Sequence, residues 1–394
     1  MGFSTLDTGS AQDTLRFDED RMVAGIMEWA ECESPTWEAG AVNRMMDLAS
    51  RALALMGARI ERIPGRMGLG DCIRARLPHS APDGTPGILI AAHLDTVHPL
   101  GTLKQLPVRR EGDRVYGPGI CDMKGGTYMA IEALRHIGLA GLATPLPVTV
   151  LLTPDEEIGT PSARDLVEAE AARNLLVLVP EPGRPDGTPC GGLVSGRHAV
   201  ARFEVRTTGR PSHAGARLAA GRSAIREMCR QVLDIEAMST ERCTYSVGVI
   251  QGGQWANCVA THCDARVLLS MAETEAELQA GIARMLARRS STPDVALTVR
   301  PTCVRPVWTP GRACTALFEH ARQVARGLGF DVAASSSPGG SDGNFTGAMG
   351  VPTLDGLGIL GDMYHTLEEH MLVSSIVPRT RLLAGLLLSL APSA

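Results

Sequence analysis

Apolar residues near the start of the chain recur at helical spacing. Met22, Ile26 and Met27, then Met45, Leu48, Leu53 and Leu55, follow a 3.6-residue period, with Pro35 separating the two runs. Two helices are predicted between Asp18 and Gly57. The pattern then changes to short aliphatic runs at 72–77, 87–92, 147–152 and 175–179. The run at 87–92 (GILIAA) is continuously apolar, as expected of a strand buried on both faces. Between these runs, 124–139 and 162–174 return to helical spacing. Strands alternating with helices predict a covered α/β sheet, whose ligand sites belong at the C-terminal ends of its strands.

From about 197 to 303 the texture differs. An alternating strand over 199–205 is followed by a helix over 222–238, strands over 245–250 and 264–269, and a helix over 273–289. This reads as an inserted α+β unit. After Pro306 the first texture resumes, with a helix over 314–327, a Ser/Gly loop over 335–343, a strand over 353–357 and a final helix running to Leu390. The expected organisation is a catalytic domain split into 1–196 and 305–394, with 197–304 inserted. No internal repeat is visible.

The chain has 394 residues, 44% of them hydrophobic and 21% charged, which suits a globular enzyme with a large core. Its formal net charge is −5 and no Lys/Arg-rich block is present, so nucleic-acid binding has no electrostatic source. The ten cysteines form no CxxC pair and no regular spacing, unlike a zinc ribbon or a disulfide framework, and are read as reduced and cytoplasmic. The first twenty residues lack a secretory pattern, and Leu6 breaks the acylation motif that begins at Gly2. The longest apolar stretch, 382–391, is far short of the roughly 18 residues of a membrane span. A small anionic molecule is the expected substrate, with neither nucleic acid nor membrane as partner.

Candidate chemistry lies in segments that follow buried apolar runs or Gly-rich turns. These are AAHLDTV (His93, Asp95), YGPGICDMKGG (Asp122), LLTPDEEIG (Asp155, Glu156, Glu157) and VPEPG (Glu181), joined by His365 in GDMYHTLEEH. Ionisable groups there are costly to desolvate unless paired or holding a metal. Imidazole and carboxylate without thiolate suit Zn²⁺, Mn²⁺ or Co²⁺. His93 and Asp95, two apart on a strand end, leave the same face, so Asp95 can orient the imidazole. Adjacent Glu156 and Glu157 point different ways, which allows one to bind metal while the other acts as general base.

At these residues the chain resembles the co-catalytic zinc aminoacylase and carboxypeptidase family, peptidase family M20, which includes glutamate carboxypeptidase, acetylornithine deacetylase and succinyl-diaminopimelate desuccinylase. The motifs HxDTV, GxxDMKGG, DEEIG, EP, SHAG, GGSDGN and a final H-x-x-x-E (His365 to Glu369) carry it over nearly the whole chain. The resemblance implies an α/β fold with a central mixed sheet covered by helices and an inserted ferredoxin-like lid and dimerisation domain. It implies one or two divalent ions, with Asp122 between a site of His93 and Glu181 and a site of Glu157 and His365, and Glu156 as base. It also implies a homodimer, His213 of GRPSHAG as a lid histidine reaching across that dimer to the oxyanion, and substrate contacts from Arg305, Asn257 and Gly340. The implied reaction is hydrolysis of a C–N bond in an N-acyl amino acid or dipeptide-like carboxylate. One departure bears on specificity. Where the family has an Asp-x-Arg pair, this chain has Leu268, Leu269 and Ser270, and Ala260 replaces a Pro. A single carboxylate is therefore expected on the substrate, and a relative that hydrolytically deaminates nitroanthranilate offers an alternative reaction.

Two further motifs compete. GGSDG (339–343) with Asp355 or Asp362 and His365 has the residue order of a serine hydrolase, but Ser335 to Pro338 stand where its elbow needs a strand. Gly356, Gly358 and Gly361 fit GxGxxG without a following helix, and are read as a loop presenting His365. A binding protein with a degraded metal site is the remaining alternative, against which all the implied donors are present.

Overall fold

The computed structural model describes residues 3–5, 14–186, 188 and 190–392. Gly2 and Leu6 lie outside them. The chain forms two compact units, one of Met1–Gly196, Thr309–Ser336 and Ser341–Ala394, the other of Arg197–Trp308 with Ser337–Gly340.

The first unit is built on a six-stranded mixed sheet in the order Thr353–Leu354, Leu176–Leu178, Ile88–His93, Val148–Thr153, Cys72–Arg76, Arg59–Ile63. The first four strands are parallel, Cys72–Arg76 runs antiparallel to them, and Arg59–Ile63 pairs antiparallel with Cys72–Arg76. All six residues of Ile88–His93 are buried. One face of the sheet shares a core with helices that contribute Ile26, Met45, Ile131, Leu317 and Leu382, while Val167 and Ala171 pack with Leu89, Leu151 and Val177 in a separate cluster. Cover on both faces is why these strands read as unbroken apolar runs. Helix Glu19–Glu31 starts where the Asp18 carboxylate accepts the Arg21 N–H.

The second unit is a four-stranded antiparallel sheet in the order Thr244–Gly252, His262–Ala272, Ala199–Thr208, Ala296–Arg305. Helices Ala224–Glu236 and Glu275–Leu286 bring Met228, Ile235, Leu278 and Met285 into one core with Phe203, Val205, Val267 and Leu269. Strand alternation leaves Glu204, Arg206 and Arg266 exposed. Helix Glu275–Leu286 begins with a capping box of Thr274 and Glu277.

Several elements differ from the sequence reading. Strand Ala296–Arg305 extends the second unit to Trp308, so Arg305 belongs to it rather than to the returning segment, and Gly340 also falls in the second unit. That strand was illegible because it is mostly exposed and is interrupted by Pro301. The Ser/Gly stretch 335–343 is not a plain loop: strand Ala334–Ser337 pairs with Leu193–Arg197, and a short helix begins at Gly343. Strands Arg59–Ile63, Arg109–Glu111 and Arg114–Tyr116 are short or exposed and were also missed. All ten cysteines are free. No helix of the described residues is long and apolar enough to cross a membrane.

Candidate active site

Adjacent parallel strands deliver their acids and imidazole to one sheet edge. His93 is the last residue of its strand, Asp155 to Glu157 follow Val148–Thr153, and Glu181 follows Leu176–Leu178. The His93 side chain is wholly buried, with Nδ1 3.3 Å from Asp95 Oδ1. Its Nε2 faces carboxylates at 3.3 Å (Asp122), 3.5 Å (Glu181) and 4.0 Å (Glu156).

Asp95 does more than orient His93. Its carboxylate accepts the N–H groups of Glu156 at 3.1 Å and Glu157 at 3.2 Å, and the Thr36 hydroxyl at 2.7 Å. It thereby fixes the 3-10 turn Glu156–Ile158, from which the two neighbouring carboxylates diverge. Glu156 joins His93 and Glu181, while Glu157 joins Asp122 and His365, and in each set the donor atoms lie within 4.8 Å of one another. Asp122 stands between the sets, one oxygen toward His93 and the other 3.2 Å from His365 Nε2. His365 Nε2 also lies 3.1 Å from Glu157, and its backbone holds a left-handed φ of 67°, uncommon for a residue with a side chain. Asp155, by contrast, turns away to accept the Ser162 N–H at 2.6 Å.

The electrostatics call for positive charge. Burial, then the Asp122 charge, push the Glu157 carboxyl up to about 7 and the Glu181 carboxyl up to about 8. Burial alone would lower both imidazoles, yet Asp122 and Glu157 raise His365 to about 11, and Asp122, Asp95 and Glu181 raise His93. Four buried carboxylates converging on two imidazoles, all without thiolate, fit divalent cations of the zinc, manganese or cobalt kind.

The remaining candidates lie in the second unit. His213 is exposed, and its Nδ1 accepts the N–H groups of Gly215 at 3.1 Å and Ala216 at 3.0 Å, so the neutral ring presents Nε2–H as a donor. Asn257 lies beside it, its carbonyl accepting the Ala214 N–H. Arg305 is buried at the opposite end of the sheet, in register with Val200, whereas His213 follows Thr208. From Val200 to Thr208 the strand spans about 26 Å, so the unit does not bring Arg305 to His213 and Asn257. On the outward face Leu268 stands opposite Arg202, a guanidinium on the neighbouring strand close to where the Asp-x-Arg pair is missing. Gly340 lies just beyond Gly339, whose carbonyl accepts from Arg197.

The competing constellations do not assemble. A strand and a helix do flank Ser341, contrary to expectation, but its hydroxyl is buried and donates to Asp355 at 2.6 Å, while His365 faces Asp122 and Glu157. The Gly356–Gly361 loop braces Glu181, whose carbonyl accepts the Gly358 N–H. Thr36, His98 and Glu369, which support the donor-bearing segments, escaped assignment because their contacts join positions 59 to 271 residues apart.

Comparison with known proteins agrees. Residues 89–389 match the model of peptidase family M20/M25/M40. Carboxypeptidase G2 of Pseudomonas sp. (strain RS-16) is 28% identical over 312 residues, covering 77% of this chain and 74% of that protein. Acetylornithine deacetylase of Myxococcus xanthus is 31% identical over 198 residues, 46% of this chain and 48% of that one. The solved structure of human carnosine dipeptidase 1 shares the fold with a TM-score of 0.72 at 16% identity, covering 97% of this chain and 98% of that one. With the match spanning most of its length, the chain belongs to the M20/M25/M40 peptidase family of amide-bond hydrolases.

Proposed function

We propose that this chain hydrolyses the amide bond of an N-acyl amino acid or a dipeptide-like small carboxylate, using one or two divalent ions, Zn²⁺ first and Mn²⁺ or Co²⁺ otherwise. The observation that carries the reading is Asp122, with one oxygen toward the His93 set and the other toward the His365 set. His93, Asp122, Glu157, Glu181 and His365 would hold the ions, which supply Lewis acidity to the scissile carbonyl and acidify water near neutral pH. Glu156 is the general base in this scheme: its carboxylate takes a proton from the attacking water and returns it to the leaving nitrogen. Asp95 holds the His93 ring and the Glu156–Glu157 turn together. His213 offers Nε2–H to the developing oxyanion, and Arg305 the charge for the substrate's carboxylate. With Leu268 and Ser270 in place of the acidic and basic pair, a monoanionic compound is the preferred substrate, and Arg202 is the residue that would extend the preference to dianions.

The test is hydrolysis of N-acyl amino acids, dipeptides and glutamate conjugates, with and without chelation. Chelation is expected to abolish turnover, Zn²⁺, Mn²⁺ or Co²⁺ to restore it, and kcat/KM to favour monoanions. Full activity in protein shown to be metal-free would overturn the reading.

A further inference from the structure

We infer that Glu369, together with His98, is a positioning residue for the donor cluster. This rests on the metal reading of His93, Asp122 and His365. The Glu369 side chain is 1% exposed, and among the described residues no guanidinium pairs with it. Its charge is met instead by four hydrogen bonds. Oε1 accepts the N–H groups of Cys121 at 2.9 Å and Asp122 at 3.1 Å, and Oε2 accepts the Gly119 N–H at 2.9 Å and faces His98 Nε2 at 2.7 Å. The nearby Lys124 amino group donates to the Cys32 carbonyl at 2.8 Å.

The geometry matters because of what each partner carries. The 119–122 turn presents Asp122, the acid between the two donor sets, and its backbone is irregular: Gly119 is left-handed, and Asp122 and Met123 leave helical angles. No helix or sheet ladder holds those N–H groups, so the Glu369 carboxylate replaces one. His98 lies five residues beyond His93, and Glu369 itself ends the loop that carries His365. One buried carboxylate therefore ties three donor-bearing segments to a common point, and its charge strengthens each of those bonds.

In Glu369→Gln the amide keeps one acceptor but turns its NH₂ against either the Cys121 and Asp122 donors or the Gly119 and His98 pair. The full-length chain, stripped of metal and titrated with Co²⁺, reads the consequence without turnover. The variant is expected to bind Co²⁺ about 10–100-fold more weakly, as for partners that orient metal ligands, with a shifted visible Co²⁺ spectrum. The chelated variant is expected to melt below the chelated parent, as for any lost bonds to a buried charge, so affinity and spectrum are compared at a temperature where both are folded. His98→Ala removes a single one of the four hydrogen bonds and should weaken binding by a smaller factor, and it carries the test if Glu369→Gln does not fold. Unchanged Co²⁺ affinity and spectrum in a folded variant overturn this inference alone. If the unaltered protein binds no Co²⁺, the proposed function falls and this inference with it.

Discussion

Two adjacent glutamates of identical chemistry are separated only by the direction in which their turn sends them. Glu156 enters the His93 set and Glu157 the Asp122–His365 set, because Asp95 holds both of their N–H groups. Glu156→Gln preserves shape and the five proposed ligands. It should therefore keep its metal, measured by elemental analysis, while kcat falls by about 10²–10⁴-fold, the range for a lost general base. Glu157→Gln should lose metal. The reverse pattern would exchange the two roles. That these acids were worth singling out was legible from their place just after a buried run. The pairing of Glu157 with His365 came from the family resemblance and not from spacing, because the direction of each side chain depends on a hydrogen bond from 61 residues away.

Helices and strands of this chain are bounded by local chemistry, and one of them is also anchored at a distance. In helix Ala224–Glu236, the buried Glu227 carboxylate accepts from Gln231 at 2.7 Å and from the Ser291 N–H at 2.9 Å, tying the helix to the loop after Glu275–Leu286. Burial alone would raise this carboxyl, but the hydroxyls of Thr292 and Ser291, with Gln231 and the Ser291 N–H, bring it down to about 2. A folded-state value below the unfolded one means stability that is present above about pH 4.3 and lost as pH falls toward 2. Glu227→Gln is expected to lower the unfolding free energy of the second unit by about 2–3 kcal/mol at neutral pH, the scale of hydrogen bonds to a buried charge. The gap between parent and variant should narrow between pH 4.3 and 2 in denaturant titrations. A gap independent of pH would assign the effect to packing instead.

For the molecule as a whole, the register of the second unit sets a constraint. Arg305 lies at one end of its sheet, and His213 and Asn257 follow the other end. One small substrate cannot touch both ends of a strand spanning about 26 Å, so contacts from both Arg305 and His213, which the family resemblance implies, require two copies of the chain, with His213 serving its partner's site. Co-expressed Glu156→Gln and His213→Ala chains should then recover about one quarter of the parent activity, since half of randomly paired dimers carry one intact site of two. Each variant alone should be nearly inactive. No recovery from mixed dimers isolated by dual affinity tags would place His213 outside the partner's chemistry.

What the sequence by itself determined is what depends on near neighbours. Period and apolar continuity marked the two-faced sheet, its helices and the change of texture near 197, because burial on both faces leaves a trace in consecutive residues. The family was likewise legible, since its donors sit in short motifs beside the strands that carry them. Tertiary structure alone decided what is joined through space. The exposed strand Ala296–Arg305 belongs to the second unit only because it pairs with Ala199–Thr208. The Glu369 carboxylate reaches Asp122 and His98 across 247 and 271 residues, and no spacing rule encodes such a contact. Desolvation tells a reader that a buried acid needs a partner, and only the folded chain says which.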